Sequence, residues 1–99
     1  MTVRVLIERW TSPGYGDTVV EMIRRGRSEA LRQRGYMYGE TWRDQDHPQC
    51  IMVLSVWATR AHWDTWEGSD FRRNLDQHML SMLSGPPTIR VFEDLPTPP

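Results

Sequence analysis

Residues 49–57 constrain this chain more than any other stretch, because they are apolar on both faces of an extended segment: Ile51, Val53 and Trp57 alternate with Met52, Leu54 and Val56. A strand of that kind is covered on both sides. Helices of the same chain can cover one side. The chain has 99 residues, which is room for one domain of ordinary size and no second, so the other side asks for cover from outside the chain.

The flanking segments show how the first layer is built. Residues 2–10 alternate, with Val3, Val5 and Ile7 on one face and Leu6, Glu8 and Trp10 on the other, which makes a strand. Ser12-Pro13-Gly14-Tyr15-Gly16 breaks it, and Asp17 or Thr18 starts a helix in which Thr18 and Glu21 have capping-box spacing. Val19, Ile23, Arg27, Ala30, Leu31 and Arg34 fall near one face of that helix, and Gly35 stands where a left-handed C-cap ends it. Residues 36–43 then read as a strand with Tyr36, Tyr38, Glu40 and Trp42 on a shared face, joined to residues 49–57 as a hairpin through the turn residues Asp44-Gln45-Asp46-His47-Pro48. Thr59 caps a helical stretch over residues 60–66, Glu67-Gly68-Ser69 interrupts it, and residues 70–83 resume with Phe71, Leu75, His78, Met79 and Met82 on one face. Ser84-Gly85-Pro86-Pro87 stops the helix and residues 88–93 alternate as a last strand.

This order, βαββαβ, predicts a ferredoxin-like α+β fold: a four-stranded antiparallel sheet with both helices on one face. Residues 1–94 form that single domain, and the Pro-rich residues 95–99 trail off it. The free sheet face carries more apolar surface than a monomer usually exposes, so a homodimer packed sheet against sheet is expected.

Composition excludes several function classes. Twelve basic residues, all Arg, stand against 13 acidic ones for a net charge of −1, which gives no global field for nucleic acid or an anionic membrane surface. No apolar run approaches the ~18 residues of a membrane span. Residues 1–10 carry Arg4, Glu8 and Arg9 among apolar residues, unlike a secretory or transit segment, so the chain is read as cytoplasmic. Cys50 is the only cysteine and offers neither an intrachain disulfide nor a thiolate metal cluster; it reads as a small core residue. Gly14-Tyr15-Gly16 lacks the further glycine of a dinucleotide loop, so no nicotinamide or flavin site is expected. Asp44, Asp46 and His47 read as turn residues in preference to metal ligands, and the expectation is neither metal nor cofactor.

Five tryptophans in a chain this short point to a lined pocket, an interface, or both. Thr41-Trp42-Arg43-Asp44, Asp46-His47-Pro48, residues 51–57, and Trp63, Trp66, Ser69 and Phe71 together resemble the antibiotic biosynthesis monooxygenase family of dimeric α+β barrels. In that family a tryptophan at the end of the third strand precedes a helix whose aromatic residues lead into a serine-started second half, as Trp57, Trp63, Trp66 and Ser69 do here. Its members include cofactor-independent oxygenases of polycyclic phenols, haem-degrading enzymes and proteins without an assigned role. The resemblance implies a small aromatic or polyketide-like substrate oxidised by O2, with a non-enzymatic ligand-binding barrel as the alternative.

In that scheme an electron-rich phenol or enol is deprotonated in an apolar pocket, on the order of 300 Å3 or more, and its anion reduces O2 directly. His78 is the candidate base, Trp66 and Trp42 walls, and Tyr38 a hydrogen-bonding phenol, with Trp63, Phe71 and Met82 completing the substrate-binding set. An arginine stabilises the anion; Arg9, Arg43 and Arg90 all lie on strands, where a buried fork or solvated edge residue would each fit. His78 equally fits a satisfied core histidine, and Tyr36, Tyr38 and Trp42 equally fit the dimer interface. Haem degradation fits poorly. That branch of the family places its iron-ligating histidine about one turn after the residue matching Phe71, which is Leu75 here, and needs an asparagine on the first strand, where this chain has Glu8-Arg9 and keeps its only asparagine at Asn74.

Overall fold

The computed structural model describes residues 1–98. Its elements are β1 Val3–Trp10, α1 Gly16–Ala30, β2 Tyr36–Arg43, β3 Cys50–Trp57, α2 Arg60–Glu67, α3 Asp70–Leu80 and β4 Thr88–Glu93. The four strands form one sheet in the order β2-β3-β1-β4, with β1 antiparallel to both neighbours and β2 antiparallel to β3. The predicted ferredoxin-like α+β fold is therefore the observed one. β4 returns to pair with β1, so β1 and β3 are the central strands and β2 and β4 the edges.

The β1–β3 register places Val3, Val5, Ile7 and Arg9 beside Trp57, Ser55, Val53 and Ile51 on the face that the helices cover. Two buried groups sit between sheet and helices. One joins Val3, Val5 and Ile7 to Ala30, Trp57, Trp63 and Trp66; the other joins Ile51 to Val19, Met22 and Ile23 of α1 and Leu75 and Met79 of α3. Burying these side chains is what holds two short helical layers on the sheet.

Three local readings are corrected by the structure. The first helix begins at Gly16 after Tyr15 with no side-chain cap, so Thr18 and Glu21 do not form a capping box. It also stops at Ala30, where the buried positions end, and Leu31 is already exposed. Gly35 is left-handed (φ 86°), but its role is close packing: a Cβ there would fall 2.2 Å from the His62 ring. The last helix ends at Leu80, and Leu83 instead forms a bridge with Thr11. Thr59 and Ser69 do cap α2 and α3, each hydroxyl accepting from the backbone N–H three residues on.

β2 carries the correction with most consequence for function. Tyr36 pairs with Trp57 and Tyr38 with Val56, so the register slips by one residue and Met37 bulges out. Tyr36 therefore joins the helix-covered face, while Tyr38, Glu40 and Trp42 lie on the opposite, free face beside Val56, Leu54 and Met52. The four residues do not share one face.

Residues 95–98 carry no regular structure and are exposed, and Pro99, the end of the predicted tail, lies outside the described residues. No helix among the described residues is long and apolar enough to cross a membrane.

Candidate functional site

A cavity of about 60 Å3 lies between the helix-covered face of the sheet and helices α1, α2 and α3. Trp57 and Trp66 form its aromatic wall, stacked at 26° with centroids 6.3 Å apart. Ile7, Ile23, Leu75 and Met79 supply the aliphatic side. The space falls well short of the expected 300 Å3, and of the roughly 150 Å3 that takes a benzene ring in an engineered apolar cavity. A ligand with one ring has to displace side chains, and Met79 and the Arg27 arm are the flexible ones on the lining.

The polar lining consists of three guanidinium groups, one phenol and one hydroxyl: Arg9, Arg27, Arg72, Tyr36 and Ser55. Among the described residues no carboxylate and no imidazole lines the cavity. Ser55 accepts the indole N–H of Trp57 at 3.0 Å. Arg27 donates to Thr41 Oγ1 at 2.6 Å and stands beside the Tyr36 hydroxyl. Burial raises the Tyr36 pKa, and the neighbouring Arg27 charge opposes that rise, so the phenol stays protonated and able to donate at neutral pH.

At the other end, Arg72 is 5% exposed and its Nε donates to both carboxylate oxygens of Asp76, at 3.0 and 2.9 Å, one turn along α3. Its guanidinium also lies over the Trp63 ring, 5.3 Å from the centroid. Arg9 is 4% exposed, and its closest carboxylate is the same Asp76, 3.6 Å away. Burial first, then the like charge of Arg72, pushes the Arg9 pKa down to about 10, with Asp76 opposing only in part. This arginine is thus held in the fold at a cost. Replacing it with a neutral chain of similar length, Arg9→Met, is expected to raise the stability of the ligand-free protein by about 1–3 kcal/mol at pH 7, because Asp76 keeps its Arg72 partner. The penalty is complete below the folded pKa near 10 and fades as pH rises above it toward the ordinary guanidinium range, so the gain over the parent shrinks in alkaline melts. A loss of stability in the neutral melt would show that Arg9 is a structural ion pair.

The residues singled out from sequence fall into separate places. Trp66 lines the cavity, and Trp63, 1% exposed, packs behind it edge-on to Trp57. Phe71, His78 and Met82 line a surface groove between α1 and α3 together with Met22, Arg25 and Leu75. The His78 ring is exposed and its Nδ1 meets the backbone oxygen of Asn74 at 2.9 Å. Tyr38 and Trp42 are on the free sheet face, both donating to the Glu40 carboxylate, at 2.6 and 2.9 Å. His78, Trp66 and Tyr38 therefore do not converge on one cavity. The reason for His78 is rotational: α3 buries Arg72, Leu75 and Met79, so residues 71 and 78 lie on its flank, and Met82 lies beyond its end. Neither the flank position of His78 nor a cavity this small fits a haem group.

Sequence reasoning grouped Tyr36 with Tyr38 and Trp42, as pocket or interface, because the bulge that parts them is unannounced, and it missed Arg72 because a charged side chain on the buried face looks like a solvated one. The spacing of Arg72 and Asp76, an i,i+4 ion pair, was the available signal. Asp44 accepts the backbone N–H of Asp46 and of His47, as its reading as a turn residue requires. No group of three or more His, Cys, Asp or Glu side chains able to hold a metal lies among the described residues.

The model of the antibiotic biosynthesis monooxygenase family matches residues 2–76, and the chain belongs to that family. Among solved structures, a conserved protein from Methanosarcina mazei superposes with a TM-score of 0.90 at 15% identity, over 96% of this chain and 94% of that one. A protein from Mycobacterium tuberculosis gives 0.88 at 14% identity, over 98% of each chain. SnoaB, a cofactor-independent oxygenase from Streptomyces nogalater, gives 0.83 at 14% identity, over 100% of this chain and 99% of that one. At these identities the likeness is one of fold. No curated protein matches the chain in sequence.

Proposed function

We propose that this protein is a homodimeric, cofactor-independent monooxygenase of the cytoplasm that oxidises a small aromatic or polyketide-like phenol or enol with O2. The observation that carries the reading is the cavity itself: two stacked tryptophans, a protonated phenol and three guanidinium groups around a space with no carboxylate on its wall. An acidic phenol or enol entering such a space ionises more readily than in water, because the surrounding positive charge favours the anion. Its proton leaves to solvent through the open side, so no histidine is required as base. The anion then gives one electron to O2, the two radicals join as a peroxide, and loss of water converts a methylene to a carbonyl; substrate and O2 become product and water with no outside reductant. Trp66 and Trp57 hold the flat ring, Tyr36 donates to the substrate oxygen, and Arg27 supplies charge beside it.

The dimer reading rests on the free sheet face, where Leu6, Met52 and Leu54 are half-buried and Trp10, Tyr38, Trp42 and Phe92 are exposed on one surface.

Oxygen uptake with dihydroxynaphthalenes and anthrones tests the function. Uptake by the parent is expected to fall by about a hundredfold in Trp66→Ala and to persist in His78→Ala. Loss in His78→Ala with the fold retained would return the base to His78. Ligand binding with no uptake from any of these compounds would leave a non-enzymatic ligand-binding barrel.

A further inference from the structure

The Arg9–Arg72 end of the cavity holds more hydrogen-bond donors than the protein uses. Arg72 spends its Nε on Asp76, and the nearest carboxylate to the Arg9 guanidinium is that same Asp76, 3.6 Å away, so two guanidinium groups share one carboxylate. No fully enclosed side-chain nitrogen or oxygen lacks a partner there, and both guanidinium groups line the cavity. Both side chains are nonetheless more than nine-tenths buried. Arg9 borders two spaces at once: the interior cavity, and a second pocket of about 370 Å3 opening between α3 and the approach to β4, where Arg73 and Asp76 also stand. Two guanidinium charges against one carboxylate, itself 37% exposed and committed to Arg72, leave a net positive charge facing the cavity.

We propose that Arg9 and Arg72 form a carboxylate subsite, so that the ligand of this cavity is an aromatic acid whose ring lies against Trp57 and Trp66. A carboxylate matches the planar fork of a guanidinium, and it relieves the like-charge pair that Asp76 compensates only in part. Asp76 does not obstruct it, since its short contacts are to Arg72 and Arg9 stands off at 3.6 Å. The subsite deepens the functional reading by adding a fixed acid to the substrate. It rests on the cavity being the ligand site and takes nothing from the oxygen chemistry.

The test is a titration followed by NMR, with 4-hydroxybenzoate, its neutral counterpart 4-hydroxybenzamide, and acetate. The acid is expected to bind at least about tenfold more tightly than the amide and to move the Nε–H signals of Arg9 and Arg72. Arg9→Met should reduce the acid to the affinity of the amide while the backbone spectrum stays folded, and Arg9→Lys should keep part of the preference. Equal affinity for acid and amide, no binding of either, or undiminished acid binding by Arg9→Met would each overturn the proposal. Acetate binding as tightly as the hydroxy acid would overturn it as well, because the site would then take a free anion without a ring. Acid-selective binding together with no oxygen uptake from the dihydroxynaphthalenes and anthrones would sink the monooxygenase reading and leave the subsite in place.

Discussion

Trp57→Ala is expected to lower the unfolding free energy by roughly 3–5 kcal/mol, a large share of the 5–15 kcal/mol typical of a domain this size. Trp57 is fully buried and binds three neighbours together: Tyr36 edge-on at 5.2 Å, Trp63 at 6.1 Å and Trp66 stacked at 6.3 Å. Its indole N–H also has its acceptor, Ser55, so truncation removes a satisfied donor and a large apolar body from the place where β3 meets the helices. Thermal unfolding followed by circular dichroism should show a midpoint roughly 15–30 °C below the parent. A fall of less than about 5 °C would mean that this aromatic group fills the cavity wall without organising the fold.

Leu54→Arg is expected to separate the proposed dimer, raising its dissociation constant by about a hundredfold or more, since a long charged side chain would have to be desolvated at the centre of an apolar seam, a cost that the neighbouring Glu40 repays only in part. Leu54 lies in the middle of the free face, paired with Leu6 across β1 and with Glu40 across β2. Its side chain points away from the helices, so the monomer fold is spared. Sedimentation velocity at micromolar concentration should give a dimer for the parent and a folded monomer for the variant. A dimer that survives the substitution would place the interface elsewhere, and a parent that is monomeric would remove the dimer from the reading.

The fold was legible because its signals are periodic and local. Alternation marked the first and last strands and two-faced apolarity the third, within a residue or so, and the hydroxyls of Thr59 and Ser69 stood where helix starts need them. What escaped was whatever breaks a period or depends on a distant partner. Met37 shifts β2 by one position without any turn residue to announce it, so the faces of Tyr36 and Tyr38 were joined in reading and are parted in the protein. Arg9 was readable as a solvated edge residue only while the strand order was unknown; pairing of β4 with β1 makes β1 central and buries it. On α3, apolarity alone selected a face containing Phe71, His78 and Met82, whereas the buried face includes a charged residue that Asp76 and the Trp63 ring make tolerable. Of the site, Trp66 was written in sequence, and Arg9 and Tyr36 were there as one of two open readings each; Arg72 became visible, and Tyr36 was decided, when tertiary contacts set the rotation of a helix and the phase of a strand.

The bulge at Met37 also separates two histories that the chain can have. Tyr36 answers to whatever occupies the interior, and Tyr38 and Trp42 to whatever lies against the outside of the sheet. Point substitutions can therefore retune the ligand while leaving the outer surface alone, or the reverse. A change of one residue in the length of β2 is a different kind of event, since it would exchange the two sets in a single step. For a family that spreads across chemistries on one scaffold, an unpaired residue in an edge strand is a place where inheritance of fold and divergence of pocket can be uncoupled.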